Sequence, residues 1–166
     1  MAPVEPEASG FRPGPRLGVD VGRARVGVAR SDRDGLLATP VETVPRRVGD
    51  PVARVVALAV EHAAVEIVVG LPVSLRGDDT ASTADARAFA AAVAAASTVP
   101  VRLVDERLST VSAHAALRDS GRSQRSSRRI VDQVAAVVLL QQALDVEKRT
   151  GQAPGETVSM PPEPGT

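Results

Sequence analysis

Residues 16–30 read RLGVDVGRARVGVAR and contain two short apolar segments separated by a turn. These segments predict strands over residues 16–21 and 25–31, joined through Gly22 to Ala24. Asp20 lies at the end of the first strand, where the buried stretch gives way to the turn. A carboxylate at the rim of a sheet suits a hard divalent cation, and it equally suits hydrogen bonds within the turn. Asp20 is therefore the first candidate metal ligand.

The composition limits the chemistry that such a site can use. The chain has 166 residues of which 43% are apolar, which suits one compact domain. It contains no cysteine, so disulfides, thiolate zinc sites and a cysteine nucleophile are excluded. His62 and His114 are too few for a multi-histidine metal site, and we interpret His114 as a surface or packing residue. Any metal must be held by carboxylates, which indicates Mg²⁺ or Mn²⁺.

No segment of the sequence indicates contact with a membrane. The longest strongly apolar run, residues 88–96, is far shorter than the roughly 20 residues that a membrane span requires. The first residues lack a charged start followed by an apolar region. We therefore expect a cytoplasmic protein with no membrane partner.

Charge is balanced overall but concentrated locally. The net charge is zero, yet residues 118–129 carry five arginines against Asp119 alone. Such a segment predicts contact with a phosphate backbone. Tyr and Trp are absent and Phe occurs only at Phe11 and Phe89, so stacking on bases is largely unavailable. Nucleic acid would be recognised through its backbone and shape.

The two ends of the chain differ from its centre. Residues 1–15 carry four prolines and two glycines, and residues 150–166 carry four prolines without periodicity. Neither segment offers enough apolar surface to fold alone, so both are predicted to be disordered tails. The predicted domain covers residues 16–149.

The order of predicted elements within that domain indicates the fold class. A third strand over residues 36–44 completes an antiparallel meander with the first two. A helix starting at Asp50-Pro51, a strand over 65–69, a helix over 78–97 and a strand over 101–104 follow. Helices over 109–119 and 129–149 end the domain. This order predicts an α/β protein with a mixed five-stranded sheet, three strands in the meander and two parallel, and helices on both faces, as in ribonuclease H-like folds.

In that arrangement three acidic positions come near one another. The ends of the central strands lie side by side, which brings Asp20 near Asp105 and Glu106. Strand alternation turns one of those two acids inward without deciding which. Asp132 is predicted in the first turn of the last helix, where the helix dipole alone favours an acid. Three converging carboxylates would repel one another unless a cation bound between them.

Four blocks of sequence, in this order and spacing, carry a resemblance to a known family. They are LGVDVGRARVGVARSD, EIVVGLPVSLRG, VRLVDERLSTVSA and RIVDQVAAVVLL. Over residues 16–145 the chain resembles the YqgF (RuvX) family of ribonuclease H-like proteins. Members of that family are described as nucleases that process the 5′ end of pre-16S rRNA in ribosome biogenesis, and they are similar to Holliday junction resolvases.

The resemblance implies a set of catalytic residues. By motif, Asp20, Glu106 and Asp132 match the family's acids, which implies that they hold one or two Mg²⁺ or Mn²⁺ ions. Related resolvases carry their second acid at the end of the fourth strand, where this chain has Gly70-Leu71-Pro72, so Glu106 takes that place from the fifth. The implied enzyme is a hydrolase acting on ester bonds, with metal-assisted hydrolysis of a phosphodiester.

Arginines near these acids are predicted to contact the phosphates of the nucleic acid. Arginine suits this role because its planar guanidinium binds phosphate oxygens in pairs. The predicted contacts are Arg23, Arg25, Arg107, Arg122, Arg125, Arg128 and Arg129.

Several functions remain open at this stage. The substrate is structured RNA, namely pre-16S rRNA within ribosomal precursor particles, or branched DNA. Symmetric cutting of a DNA junction needs a homodimer, whereas RNA processing is compatible with a monomer. A catalytically inactive nucleic-acid-binding module is a further alternative. The pattern D-x-G-x-x-x-x-G from Asp20 to Gly27 also occurs in nucleotide-binding phosphotransferases.

Overall fold

The computed structural model describes residues 10–106 and 124–158, including all of their side chains except those of residues 124–132. Its strands are β1 (Arg16–Val21), β2 (Arg25–Ser31), β3 (Ala38–Pro45), β4 (Glu66–Leu71), β5 (Val101–Asp105) and β6 (Glu156–Thr157). Its helices are α1 (Pro51–Glu61), α2 (Ala81–Ala96) and α3 (Gln124–Thr150). None of these helices is both long and apolar enough to cross a bilayer.

The strands form one mixed sheet in the order β3-β2-β1-β4-β5-β6. The first three strands are the predicted antiparallel meander, and β4 and β5 continue the sheet parallel to β1. The predicted sheet class is therefore confirmed. The predicted count of five strands is one too low, because β6 pairs antiparallel with β5. The sixth strand lies within the segment predicted to be a disordered tail.

Helices cover both faces of the sheet, as predicted. Because side chains alternate along a strand, successive residues of β1 and β4 face opposite sides. Leu17, Val19 and Val69 pack with residues of α1 and α2 in one buried cluster. Val68 packs on the other side with Leu140 of α3 in a second cluster. The candidate site described below lies on the α3 side.

A glycine in β1 sets the close approach of α3 to the sheet. A Cβ atom at Gly18 would lie 2.8 Å from Leu140 Cβ and 3.0 Å from the carbonyl oxygen of Ala136. Further along the helix, Glu147 contacts Arg16 at the start of β1. The helix therefore runs antiparallel to β1, with its N-terminal part toward the end of the strand that carries Asp20.

The helix starts agree only partly with the sequence predictions. Asp50 caps α1 as predicted, accepting a hydrogen bond from the backbone N–H of Ala53 at 3.1 Å. In contrast, α3 begins at Gln124 rather than at residue 129. Asp132 therefore does not lie in the first helical turn, and that prediction was wrong. The predicted helix over 109–119, which includes His114, lies outside the described residues.

Contacts of the domain extend beyond both predicted boundaries. Although residues 1–15 were predicted to be a tail, the guanidinium of Arg12 lies 2.6 Å from a carboxylate oxygen of Glu147 and 3.2 Å from one of Glu66. The ring of Phe11 lies 4.2 Å from the guanidinium carbon of Arg16. These contacts, together with β6, add residues 10–15 and 156–158 to the structure built around the sheet.

Candidate active site

Asp20 and Glu106 meet at the carboxyl end of the central parallel strands. Asp20 is the fifth residue of β1, and Glu106 directly follows β5. The backbone N–H of Glu106 donates to the carbonyl oxygen of Leu71 at 3.2 Å, which continues the pairing of β4 with β5. Glu106 is 9% exposed and Asp20 is half-buried. The side-chain carboxyl groups of Asp20 and Glu106 are hydrogen-bonded to each other.

Gly70 provides the space that the Glu106 side chain occupies. A Cβ atom at Gly70 would lie 2.6 Å from both Cγ and Cδ of Glu106, and closer still to Oε1. Real Cβ atoms do not approach other heavy atoms so closely. On this face, the end of β4 therefore has no side chain of its own, and the carboxyl group that lies above Gly70 comes from the residue after β5.

The electrostatics of the pair favour a bound cation. Burial raises the pKa of Glu106 far above its ordinary value, and the hydrogen bond to Asp20 and the charges of Asp20 and Asp105 raise it further. Two carboxyl groups in contact repel each other when both are ionised, and a divalent cation between them removes that repulsion. Carboxylate oxygens are also the ligands that Mg²⁺ and Mn²⁺ prefer. The donor atoms of this pair therefore fit such an ion.

The structure brings together two of the three predicted acids. Of the adjacent residues that strand alternation left open, Asp105 is exposed and Glu106 turns inward. Asp132 belongs to α3, but its side chain is outside the described part of the chain. Among the side chains that are described, no group of three or more potential ligands forms a metal site.

Two of the predicted phosphate contacts lie on the turn that follows Asp20. The backbone N–H of Gly22 donates to the carbonyl oxygen of Arg25 at 2.8 Å, which closes this turn. Arg23 is exposed at its tip, and Arg25 is half-buried at the start of β2. Both residues are within five positions of Asp20.

The other predicted phosphate contacts lie on α3 or outside the described residues. Arg125, Arg128 and Arg129 belong to α3, whose backbone is described there without side chains. The basic segment 118–129 lies mostly between the two predicted helices, and the structure is helical from Gln124 onward. Arg107 and Arg122 lie outside the described residues.

Sequence reasoning missed one residue beside this turn. Arg46 follows β3 and donates a side-chain hydrogen bond to the carbonyl oxygen of Gly22 at 2.9 Å. The contact joins residues 24 positions apart. No local pattern in the sequence signals it, because it depends on the pairing of β3 with β2.

The family of the chain follows from comparison with known proteins. The family model described as "RuvX: Holliday junction resolvase" matches residues 14–146. A relative from Clavibacter michiganensis subsp. michiganensis is 57% identical over 153 residues, which cover 89% of this chain and 93% of the relative. A relative from Streptomyces coelicolor is 49% identical over 163 residues, covering 95% and 97% of the two chains. Both relatives carry the name "Putative pre-16S rRNA nuclease".

Solved structures support the fold independently of sequence. Thermus thermophilus RuvC in complex with a Holliday junction substrate superposes with a TM-score of 0.55 at 19% identity, covering 86% of this chain and 99% of RuvC. A second Thermus thermophilus RuvC structure gives a TM-score of 0.53 at 17% identity. These matches confirm the predicted ribonuclease H-like fold. Taken with the family match over residues 14–146, they lead to one conclusion: the chain belongs to the RuvX family.

Proposed function

We propose that this chain is a divalent-cation-dependent nuclease that hydrolyses phosphodiester bonds at the 5′ end of pre-16S rRNA. The observation that carries the proposal is the hydrogen-bonded Asp20–Glu106 pair above Gly70, at the carboxyl end of the central strands. Ligand sites in open α/β sheets occur at this end. Family membership favours a nuclease over a nucleotide-binding phosphotransferase, and the names of the relatives favour precursor rRNA as the substrate.

The proposed metal ligands are Asp20, Glu106 and Asp132, holding one or two Mg²⁺ or Mn²⁺ ions. Support for Asp132 comes from helix geometry. Ala136 packs on Gly18, and α3 runs antiparallel to β1. Position 132, one helical turn before Ala136, therefore lies toward the end of β1 that carries Asp20. When bound, the cation supplies a water of lowered pKa and neutralises charge on the phosphate.

The protein side chains would position the substrate and exclude water. Burial of Glu106 keeps solvent from one side of the pair, and the half-buried Asp20 faces the substrate side. Arg23 and Arg25, on the turn after Asp20, would bind the phosphates that flank the cleaved bond, and so would Arg107. Arginines of the basic segment would hold the more distant backbone. These are Arg122, Arg125, Arg128 and Arg129.

The proposed cellular setting follows from the substrate. We place the protein in the cytoplasm, where it would meet pre-16S rRNA within ribosomal precursor particles. One copy is sufficient to cut one RNA strand, and a monomer would serve. Symmetric cleavage of branched DNA would instead need two sites in a homodimer.

A cleavage assay that compares two substrates tests the proposal. Precursor 16S rRNA with its 5′ extension and a four-way DNA junction are incubated with the full chain in Mg²⁺, Mn²⁺ or a chelator. We expect cleavage of the RNA at the 5′ end with either metal, and none with the chelator. Preferential cutting of the DNA junction would replace the RNA proposal by resolvase activity. Binding of both substrates without cleavage would indicate an inactive module.

The variant Asp20→Asn provides the control for this assay. It keeps the size of the side chain but removes the charge that would hold the cation. We expect cleavage to fall by about three orders of magnitude, which corresponds to roughly 4 kcal/mol of transition-state stabilisation. Circular dichroism should show an unchanged fold. Turnover equal to that of the wild type would remove Asp20 from the site.

A further inference from the structure

A partly buried ion pair connects the turn beside the candidate site to helix α2. The guanidinium of Arg46 donates two hydrogen bonds to the carboxylate of Asp85, at 2.6 and 2.8 Å. The same guanidinium donates to the carbonyl oxygen of Gly22 at 2.9 Å. Its central carbon lies 5.7 Å from the ring centroid of Phe89, which is itself buried in α2. One side chain therefore links β3, α2 and the turn between β1 and β2.

The backbone of Arg46 holds the same turn a second time. Its N–H donates to the carbonyl oxygen of Ala24 at 3.0 Å. Together with the hydrogen bond from Gly22 N–H to the carbonyl of Arg25 at 2.8 Å, these contacts engage the carbonyl groups of Gly22, Ala24 and Arg25. The turn begins two residues after Asp20 and carries Arg23 at its tip. The two contacts from Arg46 therefore hold the turn from outside it.

The charges of the pair support a stable contact. Hydrogen bonding to Arg46 lowers the pKa of Asp85, and the Arg46 side chain is 22% exposed. A bidentate arginine–carboxylate pair fixes both distance and orientation, whereas a single point contact does not. Asp85 therefore orients the guanidinium of Arg46. In that orientation its third hydrogen bond is directed toward the carbonyl oxygen of Gly22.

We infer that Arg46 is a positioning residue for the reaction: anchored on Asp85, it holds the β1–β2 turn so that Asp20 and the arginines of the turn keep their relative placement. The inference rests on the proposed nuclease function. Displacement of reacting groups by about 1 Å costs up to roughly 100-fold in rate. Loss of the anchor should therefore act on turnover more than on substrate affinity.

The chain offers a matched control for this inference. Arg54 of α1 makes a similar bidentate pair with Glu42 of β3, at 2.8 and 2.7 Å, and this pair is also partly buried. The described contacts of Arg54 involve carboxylates and no carbonyl of the β1–β2 turn. Arg54→Met therefore removes a similar ion pair without touching the turn.

The experiment compares Arg46→Met, Arg46→Lys, Asp85→Asn and Arg54→Met in the full chain. We expect Arg46→Met to lower kcat about 10- to 100-fold with KM changed less than about 3-fold. Arg46→Lys and Asp85→Asn should give intermediate losses, because each keeps part of the contact. Arg54→Met should leave kcat within about 2-fold. Amide hydrogen exchange at Gly22 should accelerate in Arg46→Met and remain unchanged in Arg54→Met.

The outcomes separate this inference from the proposed function. A wild-type chain that cleaves RNA, combined with equal kcat for Arg46→Met and Arg54→Met, would overturn the positioning role and leave the nuclease proposal intact. A wild-type chain that cuts neither RNA nor DNA would overturn the proposed function, and the exchange rates would still decide whether Arg46 holds the turn. If Arg46→Met does not fold, wild-type kcat in both Arg46→Lys and Asp85→Asn would refute the inference.

Discussion

The two ends of the central sheet both bury glutamates, but they surround them with opposite charges. At the amino end, Glu147 is 2.8 Å from Arg16 and 2.6 Å from Arg12. At the carboxyl end, Glu106 is in contact with Asp20, another acid. The amino-end network also includes Glu66, which is 3.2 Å from Arg12 and 3.3 Å from an atom of the Arg102 guanidinium.

The pKa values of the two glutamates follow this difference. Burial pushes the pKa of Glu147 upward, but hydrogen bonds from Arg12 and the charge of Arg16 outweigh it, so the pKa is lowered. Burial also raises the pKa of Glu106, and there the contact with Asp20 adds to the increase. Burial alone therefore does not predict the charge state of a glutamate, because the sign of its neighbours decides the outcome.

The amino-end network compensates its own charges with side chains of the same chain, so it stabilises the fold. At the carboxyl end, burial and the contact with Asp20 both raise the pKa of Glu106. Strongly shifted pKa values of this kind cluster at functional sites, which supports the metal site that we propose there.

Removing Glu147 should produce the largest change in stability. Glu147→Gln leaves the guanidinium of Arg16, which is 2% exposed, without a full counter-charge. We expect the free energy of unfolding at pH 7 to fall by about 3 kcal/mol, the usual cost of breaking a buried ion pair from one side. Urea denaturation measures this. Glu61→Gln is the control, because its 3.4 Å pair with Arg54 is exposed and should contribute under about 0.5 kcal/mol.

The same variant has a defined pH dependence. The pKa of Glu147 is lowered in the folded chain, so its stabilising effect is complete above the ordinary carboxyl pKa of about 4.3. The effect disappears as the pH falls through the lowered value. The difference between wild type and Glu147→Gln should therefore be constant near pH 7 and shrink below about pH 4. A constant difference down to about pH 2 would contradict the pairing.

Filling the space above Gly70 should disturb the functional end instead. In Gly70→Ala the added Cβ displaces the carboxyl group of Glu106, and we expect kcat for RNA cleavage to fall about 100-fold. Gly10→Ala serves as the control, because a Cβ there meets no atom within 4 Å. An active Gly70→Ala variant would show that the position of the Glu106 side chain is not required.

Neutralising Glu106 should increase stability, whereas neutralising Glu147 should decrease it. The pKa of Glu106 is raised in the folded chain, so its contribution to stability is lost as the pH rises above the ordinary carboxyl value. Glu106→Gln removes this loss, and with a chelator present at about pH 8 we expect the variant to be about 1–2 kcal/mol more stable than the wild type. The advantage should vanish near about pH 4. If Glu106→Gln were less stable than the wild type at alkaline pH, this account would be contradicted. We also expect Glu106→Gln to have no nuclease activity.

The smallest effects are expected from arginines that serve the nucleic acid rather than the fold. Replacing Arg125, Arg128 and Arg129 by Ala should weaken RNA binding about 5-fold near physiological salt and flatten its salt dependence, by about one unit of slope for each phosphate that is no longer neutralised. Filter binding across a salt series measures this. A control variant replaces three exposed arginines near the amino end of β1: Arg30, Arg33 and Arg149. Equal slopes in both variants would place the RNA elsewhere.

Sequence reasoning predicted the parts of the fold that depend on local patterns. The meander follows from short apolar segments, and the start of α1 follows from Asp50-Pro51, whose cap the structure contains. The two residues of β6 are both exposed and too few to show a periodicity. The start of α3 was misjudged because residues 124–129 are polar and give no apolar pattern.

The site was predictable in its residue types but not in its geometry. Strand alternation indicated that Asp105 or Glu106 would face inward, and only the pairing of the Glu106 backbone with Leu71 decides between them. The contacts of Arg12 and Arg46 join segments 135 and 24 positions apart. Such long-range contacts leave no trace in local sequence, so neither could be predicted.

The contact between Gly70 and Glu106 constrains how this site can vary among related proteins. The side chains at positions 70 and 106 would occupy the same space. A larger residue at one position therefore requires a smaller residue at the other. An acid restored at position 70 would require a small residue at position 106. The two sites should therefore change together, and a lineage could exchange the strand that donates the carboxylate while keeping the chemistry.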